Sequence, residues 1–356
     1  MTDRSAGGSV AVPAEAEDSP STRAGAARAR YGRLTEQARS IGADPKTAVA
    51  RLPELLEGVP FPGEGDTTGY LSTLAALGAG DLTVARVVEP HLDAAAILHQ
   101  AGLDDLLTGR TAWGVFAAEG PGARLQATEG PDGWTLTGTK PWCSLAGVLD
   151  HAVITAHSGP DTRRAFAVSL REPGVRVADV DWAARGLAAV PSGPVEFDHV
   201  PATPVGDDGW YLRRPGFAWG GIGVAAVWYG GARALAAALT EAARFRAPDQ
   251  IALMHLGASD IALHQARCVL DDAARVIDSG EATGAEGGVL AARVRGVCAA
   301  TVDTVLTTVG HGLGPAPLTF DEEHARRVAD LTVYVRQHHA ERDLARLGET
   351  TLEEAG

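Results

Sequence analysis

Hydrophobic positions along this chain follow a helical period, then a strand period, then a helical period again. Residues 1–25 are rich in Ala, Ser, Gly, Pro and Glu, can bury little, and are expected to form a disordered tail. From 26 to 109 the pattern is helical. The stretch "LSTLAALGAGDLTVARVVEPHLDAAAILHQAG" predicts two helices split at Gly78-Ala79-Gly80, with Asp81 as N-cap of the second. Between 110 and 209 the period shortens. "GWTLTG", "HAVITAH", "RAFAVSL", "GVRVADV" and "GPVEFDHV" are each bounded by Gly, Pro or Asp and predict strands. So many short strands predict a small antiparallel barrel or sandwich. From 210 to 350 long helices return. Leu256, Leu263, Leu270 and Ile277 recur every seven residues, with Leu253 and Val269 beside them, as the buried face of one helix. A further helix is expected to end in "TTVGHGLGPAPL", where Gly310 suits a C-terminus and Pro315 forbids continuation. A last helix is expected over about Asp321 to Leu347. The fold class is therefore α+β and multidomain, in the order helices, strands, helices.

One strand breaks its own pattern. "GWTLTGTKPWCSLAG", Gly133 to Gly147, alternates through Thr139 and then gives Lys140, Pro141, Trp142, Cys143 and Ser144. Lys140 is one of only two lysines, and no charge follows until Asp150. Such a run suggests a flat apolar surface with one or two hydrogen-bond donors at its rim. By the residues alone, the simpler reading is that Trp142 is a core residue and Ser144 a capping or turn residue.

Composition narrows the function. With 356 residues, 45% of them hydrophobic, the chain can build two or three units around a sizeable core. A formal net charge of −14 argues against a nucleic-acid partner, which needs a basic face. It leaves room for a small phosphorylated ligand near Arg213 and Arg214. Cys143, Cys268 and Cys298 have no metal-ligand spacing, and the histidines form no HExxH pattern, so no metal site is expected. An odd number of cysteines and no signal-like start give the expectation of a reduced, cytoplasmic protein. The uncharged run Pro215 to Ala232 approaches the length of a membrane span, but its six glycines and flanking arginines predict a buried helix and no membrane partner.

In order and spacing, several segments resemble the acyl-CoA dehydrogenase family. They are "ALGAGDLTVARVVEPHLDAAAIL", "WGVFAAEGPGA", "GWTLTGTKPWCSLAGVLDHAVITA", "GPVEFDHVPATPVGDDGWYLRRPGF" and "GGARALAAAL", and the likeness covers roughly residues 65 to 345. The resemblance implies an N-terminal helical domain, a small middle β-barrel and a C-terminal four-helix bundle. It implies bound FAD, a small-molecule substrate such as an acyl-CoA thioester, and a homo- or hetero-oligomer. By the same resemblance "KPWCS" lies along the flavin. Trp142 packs on the ring, Cys143 belongs to the same strip, and Ser144 donates to flavin N5. The segment Phe116 to Ala118 meets the flavin pyrimidine, with Ala118 where the family usually has Thr. Gly310, Gly312 and Gly314 resemble a glycine-rich turn near the FAD pyrophosphate.

Two features depart from the family. Its catalytic base is a glutamate in the last domain, and His338 aligns with it, with His339 alongside; the family's alternative base position falls at about Gly220. An imidazole can act as a base near neutral pH. The family's Arg-Phe-Gly grip on a neighbour's FAD is also not evident, and Arg246 stands near its place. Three functions follow as expectations. The first is a flavin-dependent oxidoreductase acting on CH–CH groups with altered chemistry. The second is a flavin-dependent monooxygenase on the same fold. The third is a non-catalytic subunit completing an active homologue.

Overall fold

The computed structural model describes residues 20–355. The helices are α1 (Pro20–Ile41), α2 (Pro45–Ala50), α3 (Leu52–Leu55), α4 (Thr67–Gly80) and α5 (Leu82–Gln100). They are followed by strands β1 (Trp113–Phe116), β2 (Leu125–Gly130), β3 (Gly133–Ser144), β4 (His151–His157), β5 (Arg163–Ser169), β6 (Val175–Val177) and β7 (Ser192–Val205). Then come α6 (Trp210–Arg213), α7 (Gly216–Phe245), α8 (Gln250–Asp278), α9 (Gly284–Leu313), α10 (Ala316–Phe320), α11 (Glu322–Tyr334) and α12 (Glu341–Ala355). The expected tail lies outside the described residues as far as residue 19, and α1 already begins at Pro20.

Local chemistry sets the helix ends. Asp81 caps α5, its Oδ1 accepting from the N–H groups of Thr83 and Val84 at 2.8 and 3.3 Å. α7 is the central helix. It has the length and apolarity of a membrane span, but 72% of its most apolar window is buried inside the protein, which makes it a core helix. It crosses α4 at very short range because both carry glycine at the crossing. A Cβ on Gly78 would fall 2.5 Å from the Val227 carbonyl oxygen, and one on Gly230 would fall 2.1 Å from that of Ala75.

The strands close a barrel in the order β4-β2-β3-β7-β5, with β5 returning to β4. The expectation of a purely antiparallel sheet is corrected. β1 runs parallel to β4, and β2 meets β4 in parallel through Gln126 and His157 alone. The Gln126 side chain seals that seam by donating to the His157 carbonyl at 2.8 Å. β1 and β2 carry no strand signal long enough to be read locally. α5 lies against the barrel through Ala94, Ile97 and Leu98, which pack with Trp113, Val153 and Val205.

Three further expectations change. α9 does not end at Gly310 but runs to Leu313, capped by Gly314 at φ 67°. The last helix is broken. α11 stops at Tyr334, Val335–Gln337 form a 3₁₀ turn, and Ala340 takes φ 46° before α12 starts. The Asp343 carboxylate holds that restart by accepting from the His339 N–H at 3.0 Å, much as a capping box does. On α8, Leu270 and Ile277 are buried and Leu256 and Leu263 pack against the core, but Leu253 is 55% exposed.

The α4–α7 crossing gives a stability prediction. Gly230→Ala should cost about 1–3 kcal/mol, because the new methyl meets backbone that cannot move without parting the helices. Gly257→Ala on α8, where a Cβ meets nothing within 4 Å, should be neutral or add up to about 1 kcal/mol through helix propensity. Urea midpoints of the two variants check the contrast, and equal midpoints would refute the crossing.

Candidate active site

The irregular end of β3 is built by a buried lysine and a bulge. The Lys140 side chain is 1% exposed. Its ammonium donates to Glu119 Oε1 at 2.8 Å, to the Thr155 carbonyl at 2.8 Å and to Thr155 Oγ1 at 2.9 Å. Those contacts fasten β3 to the loop after β1 and to β4. Between Lys140 and Cys143 the register against β7 slips, and Trp142 sits there at φ 58°. A bulge of this kind re-aims side chains. The Trp142 indole is consequently 59% exposed, so it is not a core residue.

Trp142 is exposed, Cys143 is buried, and Ser144 is half-buried against Arg86 and Ser192. The placement of Cys143 on the cofactor strip is corrected: its side chain is buried in the core, its thiol donates to the Lys140 carbonyl, and burial pushes its pKa up to about 12. Phe116 is also a core residue, 2% exposed. It lines a small internal cavity together with Ser144 and Arg86, so β1 and the end of β3 do converge. Ala118 is exposed in the loop after β1. Next to it, the Ala117 carbonyl accepts from Thr155 Oγ1 at 3.3 Å.

Ser144 is part of a chain of polar groups that crosses the molecule. Its Oγ lies 2.7 Å from Ser192 Oγ and accepts from Arg86 Nη2 at 3.4 Å. Arg86 Nη1 donates to Glu89 Oε2 at 2.7 Å and to Tyr334 Oη at 3.4 Å, and the Tyr334 hydroxyl donates to the same Glu89 oxygen at 3.3 Å. Arg86, Glu89 and Tyr334 are all buried. Burial pushes the Glu89 carboxyl up to about 7, against the opposing charge of Arg86.

Behind this chain opens a cavity of about 790 Å³ between α5, α7, α9 and α12. Glu89, Asp93, Arg214, Arg295, His338 and Asp343 all line it. Asp93 Oδ1 accepts from Arg214 Nη2 at 3.2 Å, and burial raises its pKa. Arg295 donates to the carbonyls of Gly221 and Gln337 at 3.0 and 2.8 Å. Arg214 is therefore a buried partner of Asp93, and only Arg213 is left at the surface. His338 follows the 3₁₀ turn, so the placement of His338 and His339 on a helix is corrected. His338 is half-buried and faces the cavity; burial lowers its pKa and keeps it a neutral imidazole near pH 7. His339 is exposed, with Nδ1 3.5 Å from Asp343.

The expected glycine turn is also corrected. Gly310 and Gly312 lie inside α9, where the helical ladder takes up their N–H groups. Gly312 instead serves packing: a Cβ there would fall 2.6 Å from Leu239 Cδ2. It borders a separate cavity of about 420 Å³ with Arg246, Asp249, His255 and His311.

Sequence reasoning missed Arg86, Glu89 and Asp93. A signal existed, since three charged residues sit in an otherwise apolar helix at spacings of three and four. It also placed no carboxylate at Gly220. The structure brings one there from another helix, because a Cβ on Gly220 would fall 3.0 Å from Asp93 Oδ1.

With that geometry in view, comparison with known proteins defines the fold. No protein family model and no curated protein matches the chain. Solved structures do. Butyryl-CoA dehydrogenase from Megasphaera elsdenii superposes with a TM-score of 0.80 at 19% identity, covering 92% of this chain and 98% of its own. Dibenzothiophene monooxygenase TdsC from Paenibacillus sp. A11-2 gives 0.76 at 17% identity, covering 92% and 97%. KijD3, solved with FMN and dTDP-3-amino-2,3,6-trideoxy-4-keto-3-methyl-D-glucose, gives 0.76 at 20% identity, covering 95% of each chain. The fold is that of the acyl-CoA dehydrogenases, shared with flavin-binding oxygenase structures.

The buried Arg86–Glu89 pair makes stability depend on pH. A carboxyl whose folded pKa is raised from 4.5 to about 7 binds its proton more tightly folded than unfolded, so its contribution is favourable at low pH and is lost as pH rises through that window. The full shift corresponds to roughly 3 kcal/mol. The double variant Arg86→Met/Glu89→Leu should gain stability relative to wild type between pH 5 and pH 8 in urea unfolding. A wild type–variant difference that stays constant across that range would show that Glu89 is not raised.

Proposed function

We propose that the protein is a flavin-dependent oxidoreductase that does not use the carboxylate-driven dehydrogenation of acyl thioesters. One observation carries this reading: an exposed indole, Trp142, stands beside a hydroxyl, Ser144, that is held by a buried guanidinium. A flat aromatic surface with a donor at its edge fits an isoalloxazine ring. When bound, a flavin exchanges a hydride equivalent with a substrate or, once reduced, reacts with oxygen.

The chain's own residues supply the rest. Ser144 has one hydrogen, and Ser192 already donates its own to the Val190 carbonyl at 3.2 Å. If the Ser192 hydroxyl turns to donate to Ser144, the Ser144 hydrogen is released toward the ring edge. Arg86, 3.4 Å behind Ser144, would add positive charge on that side of a bound flavin. His338, neutral and facing the cavity, can accept a proton. Asp93 beside Gly220 is tied to Arg214, so it is poorly placed to serve as a free base.

The same features favour the oxygenase form of this reading over α,β-dehydrogenation. TdsC, a dibenzothiophene monooxygenase, and KijD3, solved with FMN, both share the fold at a TM-score of 0.76, close to the 0.80 of butyryl-CoA dehydrogenase. The glycine segment expected to cradle a pyrophosphate is helical, which removes one support for FAD in particular. FMN therefore stands beside FAD as the candidate cofactor. Self-association is part of the proposal. Ile251, Met254 and Ile261 lie on one face of α8 and are 60, 53 and 61% exposed, and Phe245 at the end of α7 is 85% exposed.

Purified protein reconstituted with FMN or FAD should turn yellow. Ser144→Ala should weaken flavin binding, or shift its reduction potential, by the equivalent of one hydrogen bond, about 0.5–1.5 kcal/mol. Titration of visible absorbance and a dye-coupled potential measurement check this, and a colourless protein with both cofactors would refute the reading.

Light scattering should give a dimer or larger at micromolar concentration. Met254→Asp with Ile261→Asp should shift it toward monomer. A monomeric wild type would remove the proposed interface.

A further inference from the structure

The cavity behind Ser144 is lined unlike a slot for a hydrocarbon chain. Resting on the flavin reading above, we propose that its substrate carries an amino group, held by Glu89 and Asp93 through the carboxylate oxygens that the protein leaves open. Glu89 is 6% exposed and lines the cavity. Its Oε2 is engaged by Arg86 and Tyr334, while Oε1 accepts no hydrogen bond among the described residues. Asp93 repeats the arrangement. Oδ1 is engaged by Arg214, and Oδ2 accepts nothing among the described residues.

The two side chains sit four residues apart on α5, one turn above the other on the same face. That spacing puts their Cβ atoms about 5–6 Å apart, close enough for one group to bridge both. Glycine at 220 keeps the approach clear, since any Cβ there would crowd Asp93.

Ligand chemistry follows from the free acceptors. Two carboxylates that line one cavity, each with one oxygen unengaged, call for a group with at least two hydrogens. An amine brings two and an ammonium three, whereas a hydroxyl brings one and can satisfy only one carboxylate. An acyl chain brings none and would leave both oxygens shut away from water and unpaired. Above about pH 7 Glu89 is ionised, and Arg86 and Arg214 then balance the two negative charges. Recognition is therefore by hydrogen bonding at two fixed points rather than by a net acidic field.

The test compares probes of one shape on the flavin-reconstituted full chain. Cyclohexylamine and cyclohexanol are titrated at pH 8, above the Glu89 pKa of about 7, by ligand-observed NMR into wild type, Asp93→Asn, Gly220→Ala and Glu89→Gln. Gly220→Ala keeps every charge and favours the helix, so it reports on the site even if Glu89→Gln fails to fold. Cyclohexylamine should bind wild type about tenfold tighter or more than cyclohexanol, and Asp93→Asn and Gly220→Ala should each erase most of that advantage. Equal binding of the two probes, or an amine advantage that survives both variants, overturns the proposal. Visible absorbance of the same samples separates the two readings. A yellow protein without amine preference overturns the amine site and leaves the flavin. Amine preference in a protein that takes up no flavin supports the amine site and overturns the flavin reading.

Discussion

The Arg86 guanidinium joins the three parts of this molecule at one point. It sits on α5, in the first helical segment. It donates to Glu89 on the same helix, to Tyr334 at the end of α11, and to Ser144 at the end of β3. It also lies 5.0 Å from the centre of the Tyr334 ring, over its face. A buried cation of this kind is costly unless its partners are fixed. The relative placement of barrel, first helices and last helices is therefore tied to the geometry of one side chain. Removing Arg86 alone would strand Glu89 in the interior. Exchanging both for apolar residues would remove the link without leaving a charge.

A second buried cation does the corresponding local work. Lys140 holds β3 to β4 and to Glu119, and the slip in register two residues later turns the Trp142 indole out of the barrel. The strain of a tryptophan at positive φ is sustained because β3 is fixed on both sides of it: by Lys140 before the bulge, and by the Ser144–Ser192 pairing after it. The result is an exposed indole two residues before a hydroxyl that is held in place by Arg86 and Ser192.

The fold is that of the acyl-CoA dehydrogenases, and its cavity is lined by groups held in pairs. At Gly220 on α7 a carboxylate enters from α5, that of Asp93, and is engaged by Arg214. At the other wall the His338 imidazole follows the broken helix. Glu89 and Asp93 are each tied to an arginine, so the carboxylates nearest the core are held in place by cations.

Much of the architecture was legible in the residues. The change of hydrophobic period located the helical and strand segments, because a buried face repeats every 3.6 residues on a helix and every 2 on a strand. Asp81 marked its cap, because an aspartate before an apolar run has few other uses. "KPWCS" announced itself by breaking alternation. Tertiary structure alone decided the rest. The parallel β1–β4 pairing depends on partners 38 residues apart (Trp113 with His151), which no local period records. The exposure of Trp142 and burial of Cys143 depend on a bulge set by β7. The break at Ala340 comes without proline or glycine and is held by the Asp343 carboxylate, which accepts from the His339 N–H. Glu89 and Asp93 read as ordinary helix charges until α7, α9 and the barrel close around α5. A period says which face of an element is covered; only the assembled molecule says what covers it, and which polar groups are shut in with it.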